Sequence, residues 1–109
     1  MQQGFDVEQL RKAVQSRSVE WQRHALERLI ERHISRSDVL NALTTGELIE
    51  DYPGDRPFPS GLFLGWSGAR PIHVVAAFDS VAQQVYVVTA YEPDRLHFES
   101  DYKTRRTTS

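Results

Sequence analysis

Up to Thr45 the apolar residues of this chain recur every three or four positions, and from Glu47 onward they alternate or run together. The first pattern predicts helices. Asp6 can cap one through about Gln15, with Val7, Leu10 and Val14 on one side. Ser18 can cap a second, with Glu20 and Trp21 in its first turn, ending near His33. "ISRSDVLNALTTGE" predicts a third, begun by Ser35 or Ser37, striped by Val39, Leu40 and Leu43 and stopped at Gly46. The second pattern predicts four strands: "GELIEDYP", "LFLGW", "ARPIHVVAAF" and "QQVYVVTAYEP". Between the first two lies "DYPGDRPFPSG", whose three prolines and two glycines predict an ordered loop with Tyr52 or Phe58 tucked against the domain. Asp79 to Gln83 form the hairpin between the last two strands. Helices first and consecutive strands afterwards imply an α+β fold, with two or three N-terminal helices packed on a four-stranded, mainly antiparallel sheet.

Alternation in the third strand puts Ile72, Val74, Ala76 and Phe78 on one face and His73, Val75, Ala77 and Asp79 on the other. The first set is core. His73 therefore points to the opposite face, and it is expected there partly exposed, either as a satisfied structural residue or as part of a site. In the fourth strand Val85, Val87, Thr89 and Tyr91 share one face, with Tyr86, Val88 and Ala90 on the other. A hairpin of four or five residues brings Ala90 or Tyr91 opposite His73.

At 109 residues the chain is one domain, 1–109. Without cysteine it can form neither disulfides nor thiolate metal sites. No apolar run approaches the roughly 18 residues of a membrane helix, and "MQQGFDVEQLRK" has no apolar signal core. The chain reads as cytoplasmic and calls for no cofactor. Its net charge of −2 excludes a global field attracting polyanions, so any RNA binding must be local.

The second helix carries such a local feature. His24, Arg28 and Arg32, spaced i, i+4, i+8, line one edge of its apolar arc, with Glu27 and Glu31 on the other. One reading is a solvated face of i,i+4 pairs. The other is one titratable base beside two guanidiniums, the minimum for acting on a phosphodiester without a metal.

"HALERLIERHIS", "GELIEDYPGDRPFPSGLFLGW", "ARPIHVVAAF", "VYVVTAYEPD" and "DYKTRR" resemble, in order, the blocks of the domain family DUF4258, over Trp21 to Arg106. That family is of unknown function and is placed with the small metal-independent ribonuclease folds of the barnase–EndoU–colicin–RelE group. Some members are encoded beside a zinc-finger antitoxin. The resemblance implies an endoribonuclease, the toxin of a toxin–antitoxin pair, with RNA and a cognate antitoxin protein as partners. It assigns the catalytic set to His24, His73, Arg28 and Arg32, the histidines being base and acid in either order, and substrate binding to Thr89, Tyr91, Arg105 and Arg106. Where members often carry an aromatic after "YEPD", this chain has His97 and Phe98.

The competing reading is a non-catalytic module that binds protein or nucleic acid through the open sheet face or the arginine edge. A metal enzyme ranks third, because the four histidines lack HxH, HxxxH and HExxH spacing. Arg105 and Arg106 are expected to fold back beside Arg28 and Arg32. His73→Ala is expected to spare the fold while removing cleavage.

Overall fold

Residues 5–106 are described by a computed structural model. Three helices, α1 (Val7–Gln15), α2 (Arg23–Arg32) and α3 (Arg36–Thr45), pack on one five-stranded mixed sheet. Its strands are β1 (Val19–Trp21), β2 (Glu47–Tyr52), β3 (Ser60–Ser67), β4 (Arg70–Asp79) and β5 (Gln84–Tyr91), in the order β1-β5-β4-β3-β2. β2 to β5 pair antiparallel in sequence, and β1 joins the edge of β5 in parallel. The fold is α+β as expected, with one strand more.

The extra strand corrects the start of the second helix. Ser18 is no helix cap: its carbonyl accepts from the Val85 N–H at 2.9 Å, and Val19–Trp21 continue along β5. A β-branched and an aromatic residue in three suit a strand that can bury one side, and Val19 and Trp21 pack on the core. α2 begins after Gln22 without a side-chain cap. α1 and α3 start where expected. Asp6 accepts from the Glu8 N–H, and Ser35 and Asp38 form a reciprocal capping box.

One layer of core holds helices to sheet. Leu10, Ala25, Leu29, Val39 and Leu43 meet Phe63, Ile72, Val74, Phe78, Val85 and Val87. Each large aliphatic or aromatic side chain buried this way contributes about 1.5–3 kcal/mol. α3 lies very close to β3, since a Cβ on Gly65 would stand 2.5 Å from the Ala42 Cβ and 2.6 Å from its Cα.

Two bulges break the period-two alternation. In β5, Val75 pairs with Thr89 but Ala76 with Val87, so Val88 is an extra residue. Val85, Val87 and Ala90 face the helices, while Tyr86, Val88, Thr89 and Tyr91 lie on the outer face, which corrects the grouping of Tyr91 and Thr89 with Val85 and Val87. In β2, Leu48 pairs with Phe63 but Glu50 with Leu62, so Ile49 is extra. Leu48 packs on the core, and Glu50 turns outward. The outer face holds its own small cluster, Leu62, Leu64 and His73, covered by Phe98 from the C-terminal segment.

Candidate functional site

His73 points away from the helices, as alternation requires, and pairs in register with Tyr91. It is not partly exposed. Its accessible fraction is 0%, because the segment after β5 folds across it. The Phe98 ring stands edge-on at 4.6 Å and the Tyr91 ring at 5.3 Å. Nε2 lies 2.7 Å from the Tyr102 carbonyl. A carbonyl only accepts, so Nε2 carries the proton. Nδ1 is then an acceptor, facing the Tyr91 hydroxyl at 3.4 Å. Burial holds the imidazole below its ordinary pKa against the opposing pull of that carbonyl and of Glu50, so it stays neutral.

Arg105 fixes the covering segment. Its Nε and Nη2 donate to the two Glu50 oxygens at 2.7 and 3.1 Å, and its guanidinium lies over Phe98, 5.0 Å from the ring centre. Tyr52 donates its hydroxyl to the same carboxylate. Burial alone would raise the Glu50 carboxyl, but the hydrogen bonds from Arg105 and Tyr52 together hold it below the usual range. Lys103 adds a contact to Glu47 at 3.4 Å.

Beside this cluster a cavity of about 210 Å³ opens between Tyr91, Asp94, His97, Phe98 and Arg105. The exposed His97 places Nδ1 2.9 Å from Asp94 Oδ1. The Asp94 carboxyl is held low by hydrogen bonds from the His97 side chain and backbone. An ionised carboxylate accepts, which places a proton on Nδ1, while Nε2 makes no hydrogen bond among the described residues. Burial raises the Tyr91 phenol, keeping it protonated.

The expected helix-edge residues lie elsewhere. His24 is exposed on α2 and faces Glu27 at 3.6 Å, and Arg28 pairs with Glu31 at 3.2 Å, both within their own helix. Arg32 donates to the Ala90 carbonyl at 2.7 Å and to Thr89 Oγ1 at 3.3 Å, tying α2 to β5. Arg70 holds the end of the same helix through the carbonyls of Arg32 and His33 at 2.7 and 2.6 Å. α2 sits on the core face of the sheet and His73 on the outer face, so His24 and His73 do not flank a common phosphate. Nor does the tail join Arg28 and Arg32. Arg105 reaches Glu50 across the outer face, and Arg106 donates to the Phe98 carbonyl at 3.1 Å. Of the expected residues the structure brings together His73, Tyr91 and Arg105. Glu50, Tyr52 and Tyr102 complete the cluster unforeseen, since no short motif links Glu50 to an arginine 55 residues away.

A third feature lies along the same face. Phe58, from the loop between β2 and β3, stacks on Tyr86 with centroids 5.4 Å apart and planes 5° from parallel. They border a cavity of about 390 Å³ with Val75, Ala77 and Val88 from the sheet, and Glu20, Asp55 and Arg56 line it too.

The helical layer, the mixed sheet and a polar cluster under a folded-back tail define a small α+β domain. Residues 21–92, more than half of the chain, match the family described as Domain of unknown function (DUF4258), and the chain belongs to that family. His73, Thr89 and Tyr91 fall inside the match; His97, Phe98 and Arg105 lie beyond it, short of the expected extent to Arg106. No curated protein and no solved structure matches the chain. Among the described residues no helix is long and apolar enough to cross a membrane.

Proposed function

We propose that the protein is a metal-independent endoribonuclease working from the outer face of the sheet, with its reacting groups relocated from the helix edge to the cavity beside His73. The observation that carries this reading is His97, oriented by Asp94 at 2.9 Å, lining one cavity with Tyr91 and Arg105. The Nε2 of His97 takes the proton of a ribose 2′-OH. The 2′-oxygen attacks the adjacent phosphorus, the bond from phosphorus to the 5′-oxygen breaks, and the products are a 2′,3′-cyclic phosphate and a 5′-hydroxyl. Tyr91 turns its hydroxyl from the long contact with His73 and protonates the leaving oxygen. Arg105 spreads the charge of the phosphorane. His73 is a positioning residue: enclosed, it holds the covering segment through the Tyr102 carbonyl and Phe98.

The test is cleavage of single-stranded RNA in EDTA, with wild type beside His97→Ala. Loss of the general base should slow cleavage by about 10²–10⁴-fold. A wild type that does not cleave, or a variant that cleaves equally, refutes the proposal. The toxin role and antitoxin partner belong to the same proposal. Induced expression of wild type should arrest growth and that of His97→Ala should not; unimpaired growth with wild type would sink it.

One observation favours a second reading, a non-catalytic binding module. His73 is enclosed and separated from His24 by the sheet, so the expected histidine pair is not assembled. RNA retained without cleavage would select it.

A further inference from the structure

The cavity under Phe58 has chemistry that the cleavage reading does not use. Its sheet side is apolar and flat, built from Val75, Ala77, Val88 and the Tyr86 ring. Two carboxylates from distant parts of the chain line it, Glu20 of β1 and Asp55 of the loop. Asp55 accepts from Ser60 Oγ at 2.5 Å through Oδ2. Among the described residues neither carboxylate is paired with a cation, and Arg56, at the same cavity, is likewise unpaired. At about 390 Å³ the cavity falls in the range of small-ligand sites, roughly 300–1,000 Å³.

An aromatic and aliphatic bed, two acceptors and one guanidinium fit a planar base with adjacent N–H donors and an attached phosphate. Guanine is the base with that edge, since N1–H and the N2 amino group lie side by side. Adenine and cytosine set an acceptor nitrogen beside their single amino group, and uracil sets its N–H between two carbonyls; a carboxylate meets repulsion from each. We infer that this cavity binds the guanine base of a nucleotide, Glu20 and Asp55 accepting from its N1–H and N2 amino group, Tyr86 and Phe58 packing on the ring, and Arg56 meeting the phosphate.

The position suits a polymer. Val88 and Tyr91 lie on the same outer face of β5, roughly 10 Å apart at the rise of an extended strand, so a guanosine seated here sets a neighbouring phosphate toward the His97 cavity. This deepens the ribonuclease reading and rests on it for the RNA arm alone.

The experiment is calorimetric titration of the full chain with GMP, AMP, CMP and UMP in EDTA. GMP should bind saturably and at least about tenfold tighter than the others, the equivalent of about 1.4 kcal/mol. Glu20→Gln and Asp55→Asn, each checked for an unchanged melt, should each weaken GMP about tenfold and leave AMP unmoved. Tyr86→Leu should weaken all four. Equal affinity for the four nucleotides, no saturable GMP binding, or carboxamide variants that bind GMP like wild type would overturn the assignment. A single-stranded oligonucleotide with one guanine distinguishes the two sources of the base. If it binds at least tenfold tighter than GMP, the site serves RNA; if it binds no tighter, the site serves free nucleotides. GMP selectivity without cleavage keeps this site and removes the nuclease; cleavage indifferent to guanine, with no GMP binding, does the reverse.

Discussion

Replacing His73 by alanine should loosen the C-terminal segment and destabilise the whole domain. The imidazole is inaccessible, touches the rings of Phe98 and Tyr91 and donates to the Tyr102 carbonyl at 2.7 Å. Truncating a buried side chain of this size to alanine costs about 2–5 kcal/mol. An enclosed carbonyl stripped of its donor costs about 1–3 kcal/mol more, less wherever water reaches it. Together these give a loss of about 3–8 kcal/mol, a large part of the 5–15 kcal/mol typical of a domain, which lowers Tm by about 12 °C or more. The loss begins at the outer face, so amide exchange at Phe98 and Tyr102 should accelerate before that of Val74 or Val87. Thermal melting and exchange by NMR are the assays. His73→Gln, which retains an N–H donor, should recover part of the loss. A Tm within about 3 °C of wild type, with unchanged exchange at Phe98, would show that the imidazole does not hold the segment and would return His73 to the mutation-tolerant role expected from sequence.

Acid should act through the same cluster. The folded state keeps His73 below its ordinary value of 6.5, so as pH falls below that value the unfolded chain takes a proton the folded chain refuses, and stability declines by at most about 1.4 kcal/mol per pH unit. The depressed Glu50 adds a second decline at lower pH, below the ordinary carboxylate value; chemical denaturation from pH 8 down to about pH 2 checks both, and an acid slope unchanged in His73→Gln refutes the histidine part. Gly65→Ala should push α3 off β3, costing about 1–3 kcal/mol through overpacking, because the new Cβ would stand 2.6 Å from the Ala42 Cα; a wild-type melt would show that the helix shifts freely. Ser35→Ala removes the capping box of α3 and should cost about 1 kcal/mol, read as a shift of the urea midpoint at constant slope.

Local rules carried much of this protein. Asp6 and Ser35 begin their helices through side-chain oxygens that are visible in sequence, and Gly46 closes α3. Ile72, Val74, Ala76 and Phe78 are buried together because alternation and hydrophobicity agree over the length of β4. The loop at Pro53 to Pro59 is irregular, and of the two aromatic residues expected as alternatives to tuck against the domain Phe58 does so on Tyr86, while Tyr52, the last residue of β2, bonds Glu50 of its own strand. Three decisions lay beyond that reach. β1 is three residues long and exists only because β5 offers it an edge, so nothing local separates it from a helix start. The bulges at Ile49 and Val88 each insert one residue and reverse the facing of everything after them, bringing Glu50 and Tyr91 to His73; a period-two pattern cannot register a single inserted residue without its partner strand. The enclosure of His73 depends on Arg105 meeting Glu50, a contact across 55 residues made by chain folding alone. Sequence determined which residues are apolar, where α1 and α3 begin and that His73 leaves the core; the tertiary structure decided where α2 begins and what covers His73, because strand pairing, burial and charge pairing arise only where distant segments meet.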